Sequence, residues 1–194
     1  MTDLSASLRR LLDKAAIEEQ LYRWSRGVAR RNWDLVKAIF HDDAHDDHGT
    51  LNGSVDAYIE WQKRHHSGVD QSMHFLGNIL VEFIDETLAL VETNVIAFHH
   101  YSTEAARADI VGADAAGRMG EMTSLIAGRY LDKFQKRADE WRIAYRQAVF
   151  ETARVEEAGR NLRPHWVAAQ RDASDPLFRI RAEMGLGPID AMTK

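Results

Sequence analysis

Cysteine is absent from all 194 residues of this chain, which excludes disulfides, thiol nucleophiles and cysteine-ligated zinc or iron–sulfur centres. No stretch approaches the roughly 18 consecutive apolar residues that a membrane span needs. Nowhere do clustered Lys and Arg interleave with aromatics to make a nucleic-acid footprint, and the net charge of −5 is small. A Gly-rich phosphate loop, a nucleophile elbow and a dinucleotide fingerprint are all missing. The N-terminus, polar and amphipathic from Met1 to Arg10, lacks the basic stretch and apolar core of an export signal. These absences lead us to expect a soluble cytoplasmic protein whose partner is a small molecule, not a nucleic acid or a membrane, and whose chemistry requires no cofactor.

What is present has globular proportions, with hydrophobic residues at 45% and charged residues at 28%. Leu8, Leu11, Leu12, Ala15, Ala16, Leu21 and Val28 recur at three- and four-residue intervals, predicting a helix over about 5–30 with Asp3 or Ser5 as its cap. Shorter helices are predicted for Trp33 to Phe40 and Val55 to Arg64. β-Branched and aromatic residues then predict strands over Phe75 to Phe83, Leu88 to Tyr101, Leu125 to Phe134 and Trp141 to Phe150, the short turns between them favouring antiparallel pairing. The Gly/Ala-rich stretch 103–123 has no clear period and is expected to be a loop. Helices first and strands afterwards give an α+β class, with a curved antiparallel sheet wrapped around the N-terminal helices to enclose a pocket. We expect one domain over residues 1–152 and an extension over 153–194 that packs on the pocket mouth or on a partner subunit.

Two histidines carry the chemistry. His74 and His99 sit in apolar strand runs, where an imidazole with a pKa near 6.5 is costly to bury for packing alone. Alternation puts Val91, Val95, Ala97, His99 and Tyr101 on one face, and Ala144, Arg146, Ala148 and Phe150 on one face of the last strand. Arg146 is either a structural ion pair or an anchor for an anionic oxygen, and each histidine is either a structural hydrogen-bonding residue or a catalyst. The polar run from His41 to His48 contains metal-ligand residue types, although acidic pairs at such junctions are commonly solvated. If a strand begins near Ala44, then Ala44, Asp46 and His48 share a face, and one carboxylate and one imidazole line the cavity without a metal. His65 and His66, at a helix end, read as structural.

Several segments together resemble the SnoaL-like branch of the NTF2-like superfamily across about residues 10–152. They are Leu21-Tyr-Arg-Trp-Ser-Arg-Gly-Val-Ala-Arg-Arg-Asn-Trp-Asp34, Phe40-His-Asp-Asp-Ala44, Met73-His-Phe-Leu-Gly-Asn78, Gly128-Arg-Tyr-Leu-Asp-Lys-Phe134 and Trp141-Arg-Ile-Ala-Tyr-Arg146. The resemblance implies an NTF2-like cone and a homodimer or homotrimer. Relatives such as scytalone dehydratase and hexachlorocyclohexane dehydrochlorinase imply a histidine at His74, the former a second at His99, and the latter an arginine at Arg146. The aspartate these families carry late in the first helix is replaced here by Ala29. Either Asp46 replaces it from the first strand, or the histidines act without a carboxylate, or the reaction differs, as in superfamily lyases that cleave lignin-derived aromatic dimers with formaldehyde release.

The expectation is therefore a cofactor-independent lyase acting on a hydroxylated aromatic or polycyclic small molecule. His74 would serve as base or acid, His99 would assist the leaving group and Arg146 would anchor oxygen. Asp46 or His48 would complete the relay, with His48, Tyr22, Trp24 and Tyr101 against the substrate. A non-catalytic binding or assembly domain is the alternative from another class, and a metal-dependent enzyme is a third.

Overall fold

A computed structural model describes residues 4–187 and residue 189. The opening helix α1 (Leu4–Ala29) buries Ile17, Leu21, Trp24 and Val28, a stripe at intervals of four, three and four residues. Only its second half enters the core, because Leu8, Leu11, Leu12, Ala15 and Ala16 are exposed. Ser5 falls inside the helix, and Asp3 lies outside the described residues. After α2 (Trp33–Ala38), the Asn32 side chain accepting from Leu35 N at its start, the chain enters strand β1 (Phe40–Asp47). The short strand β2 (Asn52–Ser54) leads into α3 (Val55–Ser67), whose buried residues Val55, Tyr58, Ile59, Gln62 and His66 follow helical spacing.

Strands β3 (Gln71–Phe83), β4 (Leu88–Tyr101), β5 (Met122–Arg137) and β6 (Glu140–Glu157) complete a six-stranded sheet ordered β2-β1-β6-β5-β4-β3. All neighbours are antiparallel except β1 and β6, which run parallel. The sheet is curved and unclosed, and its concave face packs on the helices, as the α+β reading predicts. Asn78, with φ of 29°, marks a bulge in β3, so that Leu76 and then Ile79, Val81 and Phe83 all meet the core.

Three local expectations differ. The stretch 103–123 holds helices α4 (Glu104–Val111) and α5 (Ala113–Ala116), the first capped by Thr103 Oγ1, which accepts from Ala106 N at 3.3 Å. They cover a second apolar cluster of Val69, Tyr101, Ala106 and Met122. Strand β6 runs on to Glu157, past the expected strand end at Phe150, because residues 152–157 continue to pair with β5. A bulge at Ala144 resets the alternation of β6, so Ile143 and Arg146, not Ala144 and Arg146, point inward. The extension carries α6 (Pro176–Glu183). Among the described residues no helix is long and apolar enough to cross a membrane.

Candidate active site

Five imidazoles converge on one cavity of about 90 Å³ between α3 and the concave face of the sheet: His48, His65, His66, His74 and His99. Each comes from a predictable position. His74 on β3 lies opposite Ala97 and His99 on β4 opposite Ser72, so the two rings are diagonal neighbours with centroids 5.5 Å apart. His66 occupies the inward stripe of α3, 5.4 Å from His99 and 6.5 Å from His74. His65 stacks on Trp61 at 5.3 Å, and these two rings, with Arg129 and the 58%-exposed Phe150, form the rim.

His48 is oriented by a carboxylate. It follows β1 on the face that carries Ala44 and Asp46, and its Nδ1 bonds Asp46 Oδ1, both residues being buried. An Nδ1–H donated to Asp46 leaves Nε2 as the free base of a ring that lines the cavity. The ring also stacks on Tyr58 with centroids 5.1 Å apart. The Tyr58 hydroxyl accepts from Trp24 Nε1 at 3.2 Å and from Gln62 Nε2 at 2.7 Å, which ties Gln62 of the cavity wall to the core behind it.

The remaining rings are held neutral. Burial, followed by the charge of Arg171, lowers His74 to about 3. Burial also lowers His66 and His99 well below the ordinary histidine value, helped by neighbouring imidazoles and Arg171, and lowers His65. His74 Nδ1 and His99 Nε2 are buried without a hydrogen-bond partner among the described residues. Unpaired polar atoms of this kind are costly in a core unless they find a partner. The other His99 nitrogen, Nδ1, lies 3.4 Å from the Tyr101 hydroxyl.

The sequence-predicted residues thus divide. His74, His99 and His48 share the cavity. Asp46 pairs with His48 and not with His74. Trp24 lies beneath the cavity, its ring edge-on to His74 at 5.1 Å, and Tyr101 stands behind His99. Tyr22, 50% exposed, faces an outer groove along β3 instead. Arg146 does not reach the cavity wall as an oxygen anchor. It is fully buried, its Nε and Nη2 donating to Asp132 Oδ1 and Oδ2 at 2.7 Å each. Its guanidinium also stands 4.8 Å from the Trp24 ring, 4.3 Å from Tyr130 and 5.6 Å from Phe40. Burial opposes its charge, but Asp132 outweighs that and raises its pKa, so of the two readings of Arg146 the ion pair describes its surroundings.

His65 and His66 are the site residues that sequence reasoning placed elsewhere. The signal was available, since His66 stands seven residues after Ile59 and four after Gln62 on the buried stripe of α3. As for the polar run His41 to His48, no group of three His, Asp or Glu side chains among the described residues is arranged to hold a metal ion. His41 Nε2 bonds Gln135 O at 2.9 Å and His45 Nε2 bonds Asn52 Oδ1 at 2.5 Å, both away from the cavity.

The SnoaL-like domain family matches residues 9–147. A scytalone dehydratase-like protein of Novosphingobium aromaticivorans superposes with a TM-score of 0.63 at 19% identity, covering 87% of this chain and 97% of that one. A hexachlorocyclohexane dehydrochlorinase, LinA type 2, gives 0.65 at 18% identity, over 83% and 99% of the two chains. A protein of unknown function from Mycobacterium tuberculosis gives 0.56 at 19%, over 73% of each. At these identities the likeness establishes the NTF2-like fold alone. A search of curated proteins finds no sequence match.

Proposed function

Because the chain belongs to the SnoaL-like domain family, whose solved relatives include proteins named as a dehydratase and a dehydrochlorinase, we propose that it is a cofactor-independent lyase. Its substrate in this proposal is a hydroxylated aromatic or polycyclic small molecule, and the reaction is an acid/base elimination. The observation that carries this reading is the carboxylate-oriented His48 facing a cavity shared with four further imidazoles. His48 Nε2 takes a proton from carbon, the electron pair left behind forms the new double bond, and the leaving oxygen, hydrogen-bonded by a neighbouring imidazole N–H, departs with the proton that His48 has taken. His74, at about 3, is too weak a base to initiate this step and serves the leaving or carbonyl oxygen instead. A space of about 90 Å³ takes the reacting ring only, so the rest of a larger substrate lies across Trp61, His65, Arg129 and Phe150.

The small cavity, together with Ala29 at the place where the family carries its aspartate, favours one other reading, a non-catalytic binding domain. Incubation with cyclic alcohols and hydroxylated aromatics, followed by mass spectrometry for loss of water, hydrogen halide or formaldehyde, separates the two. The lyase reading expects a product that His48→Gln abolishes. Stoichiometric binding without any product would replace it with the binding reading.

A further inference from the structure

The segment after β6 delivers one side chain to the back of the histidine cluster. Arg171, 6% exposed, donates from Nε to Ala29 O at 3.1 Å, from Nη1 to Val69 O at 2.7 Å and from Nη2 to Val28 O at 2.9 Å. Val28 and Ala29 lie in the last turn of α1, where carbonyls lack intrahelical donors, so the guanidinium caps that helix. Its fourth contact is of another kind, Nη2 lying 2.9 Å from His66 Nδ1. Around it the extension is latched to the body: Gln71 Nε2 donates to Ala169 O at 3.0 Å, and Asp175 accepts from Gln170 N at 2.9 Å and pairs with Arg30 at 3.3 Å.

A guanidinium has five N–H donors and no acceptor, so the contact has one polarity: Arg171 donates and His66 Nδ1 accepts. A neutral imidazole that accepts at Nδ1 carries its proton on Nε2. We propose that Arg171 is a positioning residue that holds His66 as the neutral Nε2–H tautomer, giving the histidine cavity a fixed hydrogen-bond donor. A second proton on His66 would set N–H against N–H and place two cations in contact. His65 on α3, His74 on β3, His99 on β4 and Arg171 itself all act in the same direction, against protonation of the ring. Burial and the neighbouring Arg31 and Arg30 lower Arg171 only to about 9, which leaves it cationic at neutral pH. In the elimination proposed above, on which the catalytic consequence rests, His66 Nε2–H is then a fixed hydrogen-bond donor for the departing oxygen, alongside His74.

The test is a ring ¹⁵N–¹H correlation spectrum of the ¹⁵N-histidine-labelled full chain, recorded from pH 8 to pH 5.5. The wild type is expected to show His66 with an unprotonated Nδ1 and a protonated Nε2 throughout. Arg171→Met is expected to show mixed tautomers and titration at higher pH, and Arg171→Lys, which retains a donor, an intermediate pattern. A wild-type proton on Nδ1, an ordinary titration of His66, or an Arg171→Met spectrum matching wild type would overturn the proposal. Should Arg171→Met fail to fold, the wild-type spectrum decides alone. Because the spectrum needs no turnover, a chain with the expected tautomer but no lyase product would sink the functional reading and leave this assignment standing.

Discussion

Acidifying this protein should destabilise it more steeply than its surface chemistry requires, and His74 should account for a measurable share. An unfolded histidine titrates near 6.5, whereas native His74 is lowered to about 3, chiefly by burial. Above 6.5 neither state holds the proton; between the two values the unfolded chain binds it and the native chain does not. The contribution to stability is therefore present above pH 6.5 and lost as the pH falls towards 3. At pH 5 the difference is about one proton, a slope of about 1.4 kcal/mol per pH unit. Integrated from pH 7 to pH 5, His74 alone removes about 2 kcal/mol, which for a chain of this size lowers Tm by roughly 4–8 °C. His66, His99 and His65 shift in the same direction and add to the fall. The assay is urea or thermal unfolding across this range for wild type and His74→Asn. The variant should take up about one proton fewer on unfolding near pH 5. An unchanged pH slope in His74→Asn would show that the ring is not held neutral and would refute the reasoning.

Two further outcomes concern the frame. Asp132→Ala strands the guanidinium of Arg146 among Trp24, Tyr130 and Phe40 and should cost about 3–5 kcal/mol in chemical denaturation, while the joint replacement Asp132→Leu, Arg146→Met should cost less than the single change. Gly128 lines the cavity at a β5/β6 register shift, and a Cβ there would fall 2.3 Å from Val149 O. Gly128→Ala should therefore cost about 1–3 kcal/mol by calorimetry and weaken any ligand found for the cavity.

Much of the frame was legible because periodicity reports burial. Leu21 and Val28 mark the core stripe of α1, and the alternation from Val91 to His99 matches β4, beyond which His100 is buried as well. Leu8, Leu11 and Leu12 carry the same spacing yet stay exposed, since periodicity names a face but not what covers it. Helices α4 and α5 escaped notice because Ala and Gly give a short helix no apolar contrast. The placing of Ala144 with Arg146 failed at a bulge, a one-residue insertion that pairing with β5 creates and local pattern does not announce. Within the site, the shared face of Asp46 and His48 followed from strand alternation. The His66–Arg171 contact joins residues 105 positions apart and depends on where the extension docks, which no local signal in either segment encodes.

In the proposed elimination Asp46 and His48 together act as the base of a shared histidine cavity. The measurement that bears on this pair most closely is the rate at which a bound carbon acid, taken from the screen, exchanges its proton with D₂O. His48→Gln should slow that exchange by about 10²–10⁴-fold, and Asp46→Asn should slow it in the same direction with binding retained. Exchange at the wild-type rate in both variants would contradict the claim.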